Sequence, residues 1–149
     1  MESVRKAVQD DACRLAEIEV FSYRLNFYPI FRSDRYFFSE LTVAAVTEEY
    51  REQPERIERT FVYDDGVVKG FIRVNGTEIE KLFVEPAFIG QGIGGRLIEH
   101  ALINTQAKRL LVLEKNERAI RFYRRHGFHT TDKRQPVGDT DEKFIVMER

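Results

Sequence analysis

The stretch Leu82-Phe83-Val84-Glu85-Pro86-Ala87-Phe88-Ile89-Gly90-Gln91-Gly92-Ile93-Gly94-Gly95 decides how this chain folds. An apolar run ends at Val84, a proline-bearing connection follows, and four glycines then fall within residues 90–95. Beyond them Gly94, Ile98 and Leu102 and the adjacent row Ile93, Leu97 and Ala101 recur at i, i+4, which predicts a helix with one broad apolar face. The glycines therefore stand at a helix N-terminus, where backbone N–H groups have no intrahelical acceptor and the macrodipole favours negative charge. Unshielded amides at that place form a phosphate-binding loop.

Upstream of this stretch the chain reads as a meander. Thr60 to Tyr63, Val67 to Val74 and Thr77 to Val84 are expected strands, joined at Asp65-Gly66 and Asn75-Gly76. Two-residue hairpin turns need positive φ, which these Asp-Gly and Asn-Gly pairs supply. Downstream the rhythm changes. Leu110 to Leu113 predicts a short buried strand, Asn116 to His126 a helix with Gly127 as its C′ residue, and Phe144 to Met147 a last strand. The fold class is α/β in the α+β sense: a mixed, mainly antiparallel central sheet flanked by helices, with a strand-helix-strand crossover late in the chain.

The first third is helical in pattern. A short strand is expected around Val4 to Val8, with Asp10 and Asp11 as N-cap candidates. Leu15, Ile18, Phe21, Leu25 and Tyr28 follow at spacings of three and four, and Pro29 ends or bends that helix. Val43, Val46 and Tyr50 mark a second helix, stopped by Pro54. Between them lies an aromatic segment with Phe31, Tyr36, Phe37 and Phe38.

Composition narrows the possibilities. With 149 residues one domain is expected, spanning 1–149. The 24 basic and 25 acidic residues nearly cancel to a net charge of −1, so neither nucleic acid nor a membrane is an expected partner. The single cysteine, Cys13, allows no intrachain disulfide and suits a reducing compartment. No apolar leader follows Met1, and no apolar run approaches the roughly 18 residues of a membrane span. A cytoplasmic location is expected.

Two phosphate-loop parses compete. Gly90, Gly92 and Gly95 satisfy G-x-G-x-x-G, with Glu114 downstream as a ribose-binding acid. In a dinucleotide fold, however, the first glycine follows its strand almost at once, and that strand opens a parallel sheet. Here Glu85 to Ile89 intervene and the preceding strand belongs to an antiparallel meander. A Walker loop fails because no Gly-Lys-Ser or Gly-Lys-Thr is present.

Leu82-Phe83-Val84-Glu85-Pro86 followed by Gly90-Gln91-Gly92-Ile93-Gly94 resembles the acyl-CoA-binding motif of the GNAT superfamily of N-acetyltransferases. Leu113-Glu114-Lys115-Asn116 with Ala119-Ile120-Arg121-Phe122-Tyr123 and Gly127-Phe128 resembles that family's second motif, in the family's order and spacing. Residues 77–128 carry the resemblance, whereas residues 10–59 carry none that is specific. One position departs: the family's Gln or Arg before the glycines is Ile89 here. Ile89 offers only its backbone N–H, so weaker cofactor binding is expected.

The resemblance implies acetyl-CoA as cosubstrate and acetyl transfer to a primary amine of a small molecule or protein, by direct attack in a ternary complex. Cofactor contacts are implied for Leu82, Phe83 and Val84, with backbone groups of Leu82 and Val84 facing the pantetheine and acetyl carbonyl. The amides of Gly90, Gln91, Gly92, Ile93, Gly94 and Gly95 would hold the pyrophosphate, and Asn116 would bond the pantetheine arm. Tyr123 would protonate the leaving thiolate. Family members often form homodimers, and a homodimer stays open here.

The chemistry also requires a base, because an alkyl ammonium with a pKa of ~10 is not nucleophilic at neutral pH. A backbone N–H at Val84 is one candidate donor to the oxyanion. Alternation places Glu78 and Glu80 on one side of their strand with Leu82 and Val84, and Glu80 is the preferred candidate base. For either carboxylate a solvated strand face is the plainer alternative, as a packing role is for Tyr123. Glu85 reads as loop. His100, His126 and His129 lack metal-ligand spacing, and no metal is expected. Arg121, Arg124 and Arg125 read as a solvated helix face, with a CoA phosphate as the alternative contact for one of them. The aromatic residues Phe27, Tyr28, Phe31, Tyr36, Phe37 and Phe38 read as lid and core, or as the wall of an amine pocket. Two other functions stay open: a non-catalytic acyl-CoA sensor and, on the dinucleotide parse, a nicotinamide-dependent oxidoreductase.

Overall fold

The computed structural model describes residues 3–149; of the N-terminal residues read for a leader, Met1 and Glu2 lie outside it. Seven strands form one sheet: β1 (Val4–Lys6), β2 (Thr60–Asp64), β3 (Val68–Asn75), β4 (Glu78–Val84), β5 (Arg109–Leu113), β6 (His129–Pro136) and β7 (Lys143–Glu148). Their spatial order is β1-β2-β3-β4-β5-β7-β6. Every pairing is antiparallel except β4 with β5. The helices are α1 (Ala12–Asn26), α2 (Tyr28–Phe31), α3 (Val43–Glu52), α4 (Pro54–Glu58), α5 (Ile93–Asn104) and α6 (Glu117–Arg125). No helix of the described residues is long and apolar enough to cross a membrane.

The meander forms with Gly66 (φ 116°) and Gly76 (φ 60°) in the left-handed conformations its turns demand, but the turns shift: residues 65–67 make a three-residue loop, and Gly76-Thr77 rather than Asn75-Gly76 is the two-residue turn. The expected crossover is β4-α5-β5. Side-chain alternation in the sheet then makes two cores. Ile72, Val74, Ile79, Leu110 and Met147 pack on one face with Ile93, Leu97, Ile98 and Ala101 of α5. Val62, Val68 and Phe71 pack on the other with Leu15, Ile18 and Val20 of α1 and Val46 and Tyr50 of α3.

Several expectations are corrected. The apolar row of α1 divides: Leu15 and Ile18 are buried, whereas Phe21 and Leu25 are 38% and 48% exposed. The buried stripe is Leu15, Ile18, Glu19 and Ser22, so two polar residues occupy positions that an apolar pattern cannot reveal. Asp11 does not cap α1 with its side chain; it accepts from Val8 N–H (2.8 Å) and from Arg5 (2.9 Å). Pro29 lies inside α2, and Pro54 opens α4 rather than only closing α3, since proline suits the first helical turn. Tyr36–Glu40 forms a π-helical turn. Strand β6 was not expected, because His129 to Pro136 is polar and exposed on an edge and carries no apolar alternation.

Glu19 and its neighbours form a buried polar network. The Tyr50 hydroxyl donates to Glu19 Oε1 (2.7 Å) and accepts from Arg73, whose Nε donates to Thr60 Oγ1 (3.2 Å). Arg73 is 2% exposed, and its charge faces Glu19 at 3.9 Å. Burial and the Glu19 charge both raise the Tyr50 pKa, which keeps that hydroxyl a donor.

Gly70 sets the spacing of β3 against β4. A Cβ there would lie 2.8 Å from the Phe83 carbonyl oxygen and 3.2 Å from Leu97. Gly70→Ala is expected to cost about 2 kcal/mol by displacing β4 or α5. Urea unfolding checks this as a lower midpoint at unchanged m-value.

Candidate active site

Strands β4 and β5 pair in parallel only at Glu78↔Arg109 and Ile79↔Leu110. Beyond Ile79 they separate, β4 following β3 and β5 following β7. The ladder phase shows what the gap exposes. Glu85 N–H donates to Lys69 O (2.8 Å), so alternation points the main chain of Phe83 at β3 and that of Leu82 and Val84 into the gap. A cavity of about 1050 Å³ opens there, lined by Leu82, Phe83 and Val84, by the glycine loop, and by Asn116 and Tyr123. The structure thus brings the sequence-predicted cofactor residues to one cleft, except that Gln91 is exposed and lies off its lining.

The glycine loop provides the anion-binding end. Gly90 (φ 91°) and Gly92 (φ 80°) are left-handed, with Gly92 as the N-cap of α5, and no side chain caps that helix. Among the described residues no acceptor is found for the N–H groups of residues 90–95. The Ile89 N–H, expected to join the phosphate loop, instead points at Pro86 O (3.5 Å) in the preceding 3-10 turn.

Asn116 does more than was expected of it. Its Oδ1 accepts from Ala119 N–H (3.3 Å) and so caps α6, leaving the Nδ2 donor for the cavity. Tyr123 is half-buried, with its ring edge-on to Phe122 (5.3 Å) and Phe128 (5.9 Å). No side chain or carbonyl of the described residues bonds its hydroxyl, which is not sealed from the cavity. Burial raises its pKa, so the phenol holds its proton beyond the usual tyrosine range.

Glu80 is not on the Leu82 and Val84 side. The β3–β4 register slips between Arg73↔Lys81 and Val74↔Ile79, which makes Glu80 the extra residue of a β-bulge. Ile79 packs with the α5 core, while Glu80 and Lys81 line both the large cavity and a second one of about 500 Å³ beside α1 and α3. Glu80 accepts there from Arg59 (3.3 Å). Glu78 pairs with Arg109 across the β4–β5 ladder. Glu85 is not idle loop, since Arg14 donates to it at 2.8 Å and ties α1 to the end of β4.

Composition gave no sign of the second cavity. Its floor holds Glu19, Arg73 and Lys81, and the Lys81 ammonium donates to the Tyr23 hydroxyl. Burial opposes the Lys81 charge, but Tyr23 and Glu19 outweigh it and raise its pKa. The Tyr23 ring stands edge-on to Phe27 (4.9 Å) and Phe83 (5.4 Å), so α1 packs directly on β4 at Phe83. Of the aromatic segment, Phe27, Phe31, Tyr36 and Phe37 line the large cavity, whereas Tyr28 and Phe38 stand outside it. His100 packs on Phe61 (4.8 Å), His129 is exposed, and Cys13 is exposed on α1 away from both cavities.

The family model for the acetyltransferase (GNAT) domain matches residues 56–130. The chain is 31% identical over 111 residues to the peptidyl-lysine N-acetyltransferase YjaB of Escherichia coli, covering 68% of this chain and 75% of that one. It is 36% identical over 86 residues to YjaB of Salmonella typhimurium, covering 58% and 59%, so this alignment spans less than two thirds of that relative. Among solved structures, the PaiA N-acetyltransferase of Thermoplasma acidophilum in complex with coenzyme A superposes with a TM-score of 0.73 at 20% identity, over 98% and 97% of the two chains. The apo solution structure of E. coli YjaB gives 0.68 at 24%, over 98% and 95%.

The double use of Asn116 separates by substitution. Asn116→Ala is expected to lower stability by about 1 kcal/mol through loss of the cap, while Asn116→Asp retains it. Thermal melts of the two variants check this.

Proposed function

The chain belongs to the GNAT family of acetyltransferases, and on that premise we propose that residues 1–149 act as one N-acetyltransferase domain, taking acetyl-CoA as cosubstrate and a lysine side chain of a protein as acceptor. The observation that carries this reading is the gap between β4 and β5 running into the uncapped start of α5. A pantetheine arm needs amide-like partners along its length, and the main chain of Leu82 and the Val84 N–H are unpaired there, while the Val84 carbonyl accepts at long range from Ser22 Oγ (3.5 Å). A pyrophosphate needs clustered donors, which the N–H groups from Gly90 to Gly95 offer. The cleft's size and donor set therefore fit the cosubstrate.

Acetyl-CoA supplies a thioester whose acyl carbon accepts the amine. The chain's own groups do the rest. The Tyr123 hydroxyl, kept protonated by burial, donates a hydrogen bond from Oη to the departing sulfur. The Val84 N–H donates to the carbonyl oxygen as charge develops. Glu80, which lines both cavities where the bulge lies, takes the proton of the acceptor amine directly or through water. Phe27, Phe31, Tyr36 and Phe37 wall the acceptor half of the cleft, where an alkyl stem buries its methylenes and an ammonium meets aromatic faces. The lysine acceptor is supported by what the YjaB relatives are named for.

Thiol release from acetyl-CoA with a lysine-containing peptide tests the proposal. Tyr123→Phe is expected to lower kcat about 100-fold with KM little changed, and the wild-type rate should show no loss from tyrosine ionisation up to the ordinary pKa of 10.0. Peptide-independent thiol release, or full activity in Tyr123→Phe, would contradict it.

A further inference from the structure

Helix α6 carries Arg118, Arg121 and Arg125 at i, i+3 and i+7, and all three line the large cavity. None forms an ion pair or side-chain hydrogen bond among the described residues, although Arg5, Arg14, Arg109 and Arg134 elsewhere are all engaged by carboxylates. Arg125 only leans over the Phe122 ring at 5.8 Å.

This stripe stands beside the phosphate loop. A Cβ at Gly94 would meet the Phe122 ring at 3.4 Å, and one at Gly95 would meet His126 Cε1 at 3.6 Å. The first turn of α5 therefore rests against α6, with Arg121 and Arg125 next in sequence to the two contacting residues. The loop itself provides only the partial charges of its N–H groups, since Ile89 has an apolar side chain and an N–H turned toward Pro86. The one cation of the first turn of α5, Arg96, is exposed and off the cavity lining, as are the nearest carboxylates on the two helices, Glu99 and Glu117.

Resting on the acetyl-CoA reading above, we infer that Arg118, Arg121 and Arg125 form a cationic rim for the phosphate ester groups of coenzyme A, supplying from α6 the side-chain charge that Ile89 cannot. A guanidinium meets phosphate through charge-assisted, bidentate hydrogen bonds, and its long stem lets an exposed arginine reach over a loop edge. Because the contacts are exposed, they are screened, and CoA affinity should fall as salt rises.

The test is a pair of titrations on the full chain, one with CoA and one with S-acetylpantetheine, which has the same arm and no phosphate. The triple variant Arg118→Gln, Arg121→Gln, Arg125→Gln keeps helix propensity. It is expected to raise the CoA Kd by about 10- to 100-fold, to flatten its salt dependence, and to leave acetylpantetheine binding unchanged. Adding Ile89→Arg should restore part of the loss. Wild-type CoA affinity and salt dependence in the triple variant would overturn the rim alone, as would an equal loss for acetylpantetheine. Failure of the wild-type chain to bind CoA at all would instead overturn the acetyl-CoA reading, and the rim with it.

Discussion

Two strands that begin as partners and then part define this molecule's working region. β4 and β5 share one short parallel contact, at Glu78↔Arg109 and Ile79↔Leu110, before each follows its antiparallel neighbour. An unpaired main chain inside a sheet is costly unless something else satisfies it. The separation is maintained because β4 is fixed from both faces: Phe83 against Tyr23 of α1 and Phe27 just past its end, and Leu82 and Val84 against the α5 core. Helix α5 starts where the gap ends, so the exposed strand groups and the unpaired helix amides form one continuous row of donors and acceptors. The cleft thus follows from the way the sheet is braced.

The parts of the fold written in local chemistry were legible in the sequence. Asp65-Gly66 and Asn75-Gly76 gave the meander, the rows on either side of Leu97 gave α5, and Asn116 with Gly127 bounded α6. What could not be read came from tertiary choices. Glu19 and Ser22 lie on the buried stripe of α1 because Tyr50 and Arg73 meet Glu19 there, and no apolar count finds a buried carboxylate. Strand β6 owes its form to pairing with β7, which a polar edge sequence does not announce.

The site divides in the same way. The residues lining the large cleft were readable because strand alternation and glycine placement put them there. The facing of Glu80 was not, because the β-bulge there breaks the alternation from which it was inferred. The second cavity depends on the Lys81–Tyr23 contact and on Glu19 and Arg73 beneath it, which join residues far apart in sequence.

Amide hydrogen exchange with and without CoA, resolved to single residues, addresses the central claim directly. If the gap and the helix start hold the cosubstrate, protection should rise at Leu82, Val84 and residues 90–95 while the amides of β6 and β7 stay as they were. Protection that rises elsewhere, or leaves those amides unchanged at saturating CoA, would contradict the account of the cleft.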